Sequence, residues 1–389
     1  MPYLRTEYDG LIQHFAGFFD DIRCPVRAFF HGRYGIIPGM KADTSMQADE
    51  RFVSAAHYQE VGELEVAVGL YVELIEDYPD NLELLLRAGY TLAQSGRLPE
   101  ALMYLQRAVD SNPDAASAWY NLGMAQECSG DSDAAIDSLR HALVCDSNHH
   151  AARIALSELF LPYEHYMEIL KRVHRWLRPA NYLEIGVESG ASMVLAEPPT
   201  LCLGVDPEPQ IQFEFSAPTQ IFEKTSDDFF AEHDLGEELG GKALDLAFVD
   251  GLHHFDAALR DFINIERHST PATVVLFHDG IPLDEETAAR ERKTMFWSGD
   301  TWKIIPLLKK YRPDLKIFTI PAPPTGLTVV MGLDSESKVL AEKLDAIVDE
   351  YMTLDYSYLG DKKDEVLSVV YDDWASIQEQ ISTYRPAPE

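Results

Sequence analysis

"LDLAFVDGLHHFDAALRD", Leu244 to Asp261, decides the architecture. It reads as an apolar strand, Leu244 to Val249, that delivers an acid, Asp250, and a glycine, Gly251, at its end. Two histidines follow, His253 and His254, and Phe255, Leu259 and Phe262 then recur at helical spacing. A buried strand carrying a carboxylate to its C-terminal end, with imidazoles just beyond, is where an open α/β sheet gathers ligand chemistry. A second stretch of the same kind, "TVVLFHDG", ends in His278, Asp279 and Gly280.

On either side the same alternation continues. A helix is expected within Leu161 to Arg178, stopped by Pro179. Strands follow at Tyr182–Ile185, Leu201–Val205 and Gln220–Glu223, with a glycine turn and a short helix after the first. Beyond the strand at Thr273–Phe277, a helix at Trp302–Tyr311 ends at Pro313. Leu315–Ile320 and Leu327–Met331 are two strands joined by the proline-rich turn Pro321 to Gly326. Strands separated by helical segments make a parallel sheet with helices on both faces, and so short a final turn makes the last pair antiparallel.

Upstream the chain repeats. Gly62, Gly96 and Gly130 are spaced by 34 residues, as are Ala67, Ala101 and Ala135, and Pro79 and Pro113 keep the same step. That period, with small residues where two helices touch, is the tetratricopeptide pattern, in which stacked helix pairs share a core no single pair can bury. The units run about 48–81, 82–115 and 116–149, with a capping helix from His150 to Phe160. The domains expected are therefore 1–47 (unassigned, with a short helix near Tyr8 to Ile22), 48–160 (repeats), 161–335 (α/β) and 336–389 (an acidic helical extension). The repeats offer a surface for a protein partner or self-association, or a scaffold for the next domain.

With 32 basic and 65 acidic residues the net charge is −33, which repels phosphate backbones and anionic lipid and excludes nucleic acid and membrane surfaces as partners. Cys24, Cys128, Cys145 and Cys202 have neither metal nor disulfide spacing, and no run approaches membrane length, so a cytoplasmic protein without leader or anchor is expected.

"YLEIGVESG" combines a strand, Glu184, and the glycines Gly186 and Gly190, where the backbone can turn and approach a ligand closely. Asp206 lies twenty residues after Gly186, at the end of the next strand, where a carboxylate can accept both ribose hydroxyls of a nucleoside cofactor. Ser226 and Asp227, after the third strand, would flank an adenine edge.

On these residues the span from about Tyr163 to Leu333 resembles a class I S-adenosylmethionine-dependent methyltransferase, in the branch with "DG-x-H" (Asp250, Gly251, His253) and "HDG" (His278, Asp279, Gly280) after the fourth and fifth strands. The resemblance implies a Rossmann-like sheet of seven strands with an antiparallel last one. It places Glu184, Gly186 and Gly190 around the methionine part of the cofactor and Asp206 on its ribose. In similar catechol and sugar O-methyltransferases, acids after strands four and five hold a divalent metal, which assigns Asp250 and Asp279, with His278 where the sugar enzymes have a carboxylate. An imidazole there shifts the preference from magnesium toward manganese, iron or zinc. His253, three residues after Asp250, takes the place of the general base, and Asp250 and His253 are the expected catalytic pair. His254 reads as a metal ligand, a second base or a core histidine. Phe296, Trp297 and Trp302, around Asp300, read as a substrate lid or as core.

The expected function is O-methylation of a small-molecule or saccharide hydroxyl, with metal assistance. The rivals are an interaction scaffold whose α/β domain binds ligand without turnover, and a nicotinamide-dependent oxidoreductase, disfavoured by the missing third glycine.

Overall fold

The computed structural model describes residues 49–384; the expectations for 1–47 and Cys24 lie outside them. The chain divides into two compact units, Met1–Leu159 and Phe160–Glu389.

In the first unit three helix pairs follow one another: α1 (Glu50–Glu60) with α2 (Leu64–Asp77), α3 (Leu82–Gln94) with α4 (Leu98–Ser111), and α5 (Ala116–Cys128) with α6 (Ser132–Cys145). A seventh helix, α7 (His150–Phe160), comes next. The repeat signal has a plain physical origin. Gly62, Gly96 and Gly130 all sit at φ near +80°, turning the chain between the helices of each pair where a side chain would be strained. The alanines at the same period are fully buried. Asn81 and Asp131 cap α3 and α6 by accepting hydrogen bonds from Leu84 N (3.1 Å) and Ala134 N (3.2 Å). Leu74, Leu84, Leu85 and Leu105 fill the shared core, each contributing about 1.5–3 kcal/mol by leaving water.

The second unit begins with α8 (Tyr166–Leu177) and is built on a seven-stranded sheet: β1 (Asn181–Ile185), β2 (Leu201–Asp206), β3 (Thr219–Glu223), β4 (Leu246–Val249), β5 (Val274–Phe277), β6 (Lys316–Ile320) and β7 (Leu327–Met331). Its order is β3-β2-β1-β4-β5-β7-β6. The first five strands pair in parallel, while β7 runs antiparallel to both β5 and β6, as expected. The order reverses between β1 and β4, so the crevice for a ligand opens beyond the carboxyl ends of those two strands.

Each central strand alternates between the two covered faces. Leu183, Ile185, Ala247, Val249, Val275 and Phe277 face one core with α11 (Phe255–Glu266) and α12 (Ile304–Tyr311), whose partner helices α9 (Ser226–Glu232) and α10 (Leu235–Glu238) lie between β3 and β4. Tyr182, Leu246, Phe248, Val274 and Leu276 face the other, with Ile169, Leu170 and Val173 of α8. The helix expected after Gly190 is only a single tight turn, Met193–Leu195. Pro198 and Pro199 follow at once and can neither donate to a helix nor sit in its interior.

The acidic C-terminal stretch is part of this unit. Its Leu340, Ile347, Tyr351 and Leu367 join the first core. The last helix, Trp374–Ser382, sends Ile377 and Ile381 into the second. Between them the chain pairs with the edge strand β6, Thr319 N donating to Ser368 O (2.8 Å) and Val370 N to Thr319 O (2.9 Å), which covers an edge otherwise open to association.

Candidate active site

Four of the residues singled out in the sequence meet at the carboxyl ends of β4 and β5. One donor atom from each of Asp250, His253 and Asp279 lies within 4.8 Å of the others, a spacing that suits a single cation. His253 Nδ1 stands 3.0 Å from Asp279 Oδ2 and its Nε2 3.5 Å from Asp250 Oδ1. His278 backs this group, with Nδ1 3.2 Å from Asp250 Oδ1 and 3.5 Å from Asp279 Oδ1, and Nε2 3.2 Å from the Thr325 hydroxyl. The expected metal set was Asp250, His278 and Asp279; the group whose donor atoms lie close enough for one cation has His253 in place of His278. Val249, Ala258 and Thr301 join these side chains around a cavity of about 10 Å³, room for one ion or water.

The backbone is strained where two of these side chains are presented. His253 (φ 58°) and Asp279 (φ 60°) both occupy the left-handed region that costs a non-glycine residue about 1–3 kcal/mol. What holds His253 there is the loop between β5 and α12. Gly299 fits so closely against His253 that a Cβ would stand 2.0 Å from the His253 carbonyl oxygen. Asp300 N donates to that same oxygen (3.1 Å). Asp300 is itself buried, accepting from Phe255 N (3.0 Å) and from Lys303 Nζ (3.2 Å). Trp297 stacks on the His253 ring, centroids 5.2 Å apart, and its carbonyl lies 3.1 Å from His253 Nδ1. Of the expected aromatic lid, Phe296 and Trp302 are core, and only Trp297 reaches the site. His254 Nε2 meets the Arg290 carbonyl at 3.1 Å, tying the same loop down.

Electrostatics follow from packing two carboxylates against two imidazoles. Burial alone would lower the His253 imidazole, but Asp279 and Asp250 outweigh it and push it up to about 9. His278 is likewise raised against its burial by Asp250 and Asp279. Against its own burial, Asp279 is held well below the usual carboxylate range by the two histidines.

The second half of the crevice lies over β1 and β2. Glu184 is wholly buried and accepts hydrogen bonds from Tyr182 Oη (2.6 Å) and from the Ser192 hydroxyl. Burial pushes its carboxyl up to about 8. Gly186 (φ +87°) passes so near the β4 turn that a Cβ would stand 2.0 Å from Asp250 O, so this glycine locks the two loops together. Gly190 is closed off by the ring of Phe215. Asp206 accepts from the backbone N–H groups of Glu188 and Glu208, both at 2.8 Å, which fixes its carboxylate at the rim. Ser226 and Asp227 start α9 nearby; Asp227 is paired with Arg260 (2.9 Å), and a Ser226 hydrogen bond reaches the buried Asp261.

Asp206, Glu188, Asp250 and Asp279 thus give the crevice an acidic lining. It suits a ligand carrying an ammonium, a sulfonium and ribose hydroxyls, and it opposes a pyrophosphate. Tyr166 and Thr325, which lie outside every motif and carry no local signal, both meet His278.

Comparison with known proteins agrees with this architecture. A family model described as a methyltransferase domain matches residues 183–280, and one described as a tetratricopeptide repeat matches 54–113 and 86–150. A methyltransferase domain and a repeat region are therefore present. The Arabidopsis thaliana protein "CTR9 homolog" is 35% identical over 82 residues, 21% of this chain and 7% of that protein. Among solved structures, MamA is 26% identical over 27% of this chain and 62% of its own, at a TM-score of 0.26. The TPR2B domain of yeast Sti1, solved as a pHsp70 complex, is 23% identical over 27% of this chain and 84% of that one, also at a TM-score of 0.26. The chain spans only a small part of the curated relative and less than two thirds of MamA. Among the described residues no helix is long and apolar enough to cross a membrane.

Proposed function

We propose that this chain is an S-adenosylmethionine-dependent methyltransferase that methylates a hydroxyl of a small molecule or saccharide with the help of a divalent cation. The observation that carries the proposal is the convergence of Asp250, His253 and Asp279 within 4.8 Å at the ends of β4 and β5, next to the β1 and β2 ends where Asp206 accepts from Glu188 N. The cofactor would supply an electrophilic methyl group, and the cation would lower the pKa of the acceptor hydroxyl.

The chain's own residues do the rest. Asp206, pinned by two backbone donors, presents oxygens to ribose hydroxyls, with Ser226 and Asp227 on the adenine side. Gly186 and Gly190 shape the floor at the amino-acid end, above the buried Glu184. Asp250 and Asp279 hold the cation, with His278 behind them. His253 enters as a ligand rather than as a free base, because its ring nitrogens already face Asp279, Asp250 and the Trp297 carbonyl. The loop from Ile281 to Lys303 excludes water from one side, which strengthens every charge interaction inside. A mixed oxygen and nitrogen donor set favours manganese, iron or zinc over magnesium. The repeats would bind a protein partner or a second copy, and a cytoplasmic setting fits the net charge of −33.

Equilibrium binding tests the cofactor: S-adenosylmethionine should bind and NAD should not. A methyl-release assay across hydroxyl acceptors should lose its signal with Asp250→Ala and with His253→Ala. Cofactor binding without turnover in the wild type would favour the scaffold reading, for which the β2–β3 segment lying over the glycine loop (Gln210 N to Glu188 O, 2.7 Å) is the supporting observation.

A further inference from the structure

We propose that the acidic C-terminal extension clamps the loop that holds His253, with Lys363 as the positioning residue; this rests on the cation assignment above. The loop has no helix or strand between Phe277 and Thr301, so its order comes from side chains and from other segments. Its far end presents Trp297, Gly299 and Asp300 to His253. Its near end is fixed first by Ile281 N, which donates to Thr325 O (2.6 Å). The next two carbonyls, of Pro282 and Leu283, are both met by the extension. Lys363 Nζ donates to Pro282 O, and Tyr356 Oη donates to Leu283 O (3.3 Å). Backbone carbonyls that leave water need such partners, and here the donors lie more than seventy residues further along the chain.

The clamp is itself anchored. Lys363 is half-buried, and its ammonium lies 6.0 Å from the centre of the Tyr356 ring, so the two donors brace one another. Lys363 begins a short helix, Lys363–Val366, and Lys309 of α12 donates to its last carbonyls, Glu365 O (2.7 Å) and Val366 O (3.3 Å). One residue on, Thr319 of β6 donates its hydroxyl to Leu367 O (2.7 Å). Leu359 and Leu367 of the extension share a core with Ile281 and Ala288 of the loop. The extension thus grips α12, β6 and the loop together. Of its two donors to the loop, the ammonium makes the stronger, charge-assisted bond, which singles out Lys363.

The test uses the full chain, with hydrogen exchange read peptide by peptide and Mn²⁺ affinity read by paramagnetic resonance. Lys363→Met keeps an apolar stem and removes the donor, so peptides from Ile281 to Lys303 should exchange about tenfold faster, the loss of one charge-assisted bond. Mn²⁺ should bind more weakly by a factor of up to about ten, a coupling bounded by the same lost bond. Lys363→Arg, which restores a donor, should recover both. Lys310→Met, which removes the exposed pair between α12 and Glu350 of the extension (2.6 Å), should change neither. Loop exchange at the wild-type rate in Lys363→Met overturns the inference, as does a loosened loop with unchanged Mn²⁺ affinity, or identical behaviour of the Met and Arg variants. Equal loss of protection in the β1 and β4 peptides also overturns it, because that marks a general loss of stability. If the wild type binds no Mn²⁺, the cation assignment fails, and loop exchange in the Met and Arg variants still decides the clamp.

Discussion

Replacing Gly186 by alanine should uncouple the two halves of the crevice, and the structure says by how much. At φ +87° an alanine carries a strain of about 1–2 kcal/mol. Its Cβ would also stand 2.0 Å from Asp250 O, 2.5 Å from Asp250 C and 2.9 Å from Gly251 Cα. All three are backbone atoms, so no rotamer change relieves the contact, and forced overpacking adds about 1–3 kcal/mol. The sum, about 2–5 kcal/mol, is a large share of a domain's stability. The β4 turn must recede by far more than the roughly 0.2 Å that coordination distances tolerate, so Mn²⁺ affinity should fall at least tenfold. Gly96→Ala is the control: φ is +79°, nothing lies within 4 Å of its Cβ, and only the strain of about 1–2 kcal/mol remains. Because the glycines lie in different units, hydrogen exchange read peptide by peptide measures each loss locally, and paramagnetic resonance of Mn²⁺ reads the affinity. If Gly186→Ala protects the sheet peptides as well as the wild type does and binds Mn²⁺ equally tightly, the close approach of the two loops is not what organises the site.

Three further outcomes are expected. Asp279→Asn should abolish Mn²⁺ binding by calorimetry, while Asp227→Asn, on the far side of the crevice, should leave it unchanged; the reverse order would remove the metal assignment. Glu184, raised from 4.5 to about 8 by burial, keeps its proton in the folded state after the unfolded chain has released it. Stability should therefore fall as pH rises between those values, by at most about 1.4 kcal/mol per unit, and Glu184→Gln should flatten that decline in urea titrations across the range. Asp300→Ala leaves the buried Lys303 ammonium without its partner and α11 without its cap, so a loss of about 3–5 kcal/mol is expected, with faster exchange in the Ile281–Lys303 loop. Exchange at the wild-type rate there would show that Asp300 does not hold the loop.

The strands, their order of appearance and the repeats were legible because their causes are local. Period-two alternation reports burial on two faces, and a 34-residue period reports identical helix contacts, as the left-handed turns at Gly62, Gly96 and Gly130 confirm. The acids after β4 and β5 were legible for a related reason: a parallel sheet sends every strand's carboxyl end to one edge, so Asp250 and Asp279 had to meet. The short helix after Gly190 is a 3-10 turn, Met193–Leu195, kept short by Pro198 and Pro199.

The rest depended on contacts between segments with no sequence relation. Nothing in "YEHYMEILKRVHRWL" says that Tyr166 will lie on His278, and nothing in the acidic C-terminus says that it will pair with β6 and share both cores. The role of His253 belongs to the same class. Its spacing from Asp250 suggested a base, and only the packed chain shows its ring held between Asp279, twenty-six residues away, and Trp297. Sequence determines which side chains a strand or helix can offer. Only the packed chain decides which charges end up within a few ångströms of one another, and at that distance in a dry site the Coulomb interaction overrides the intrinsic chemistry of either group.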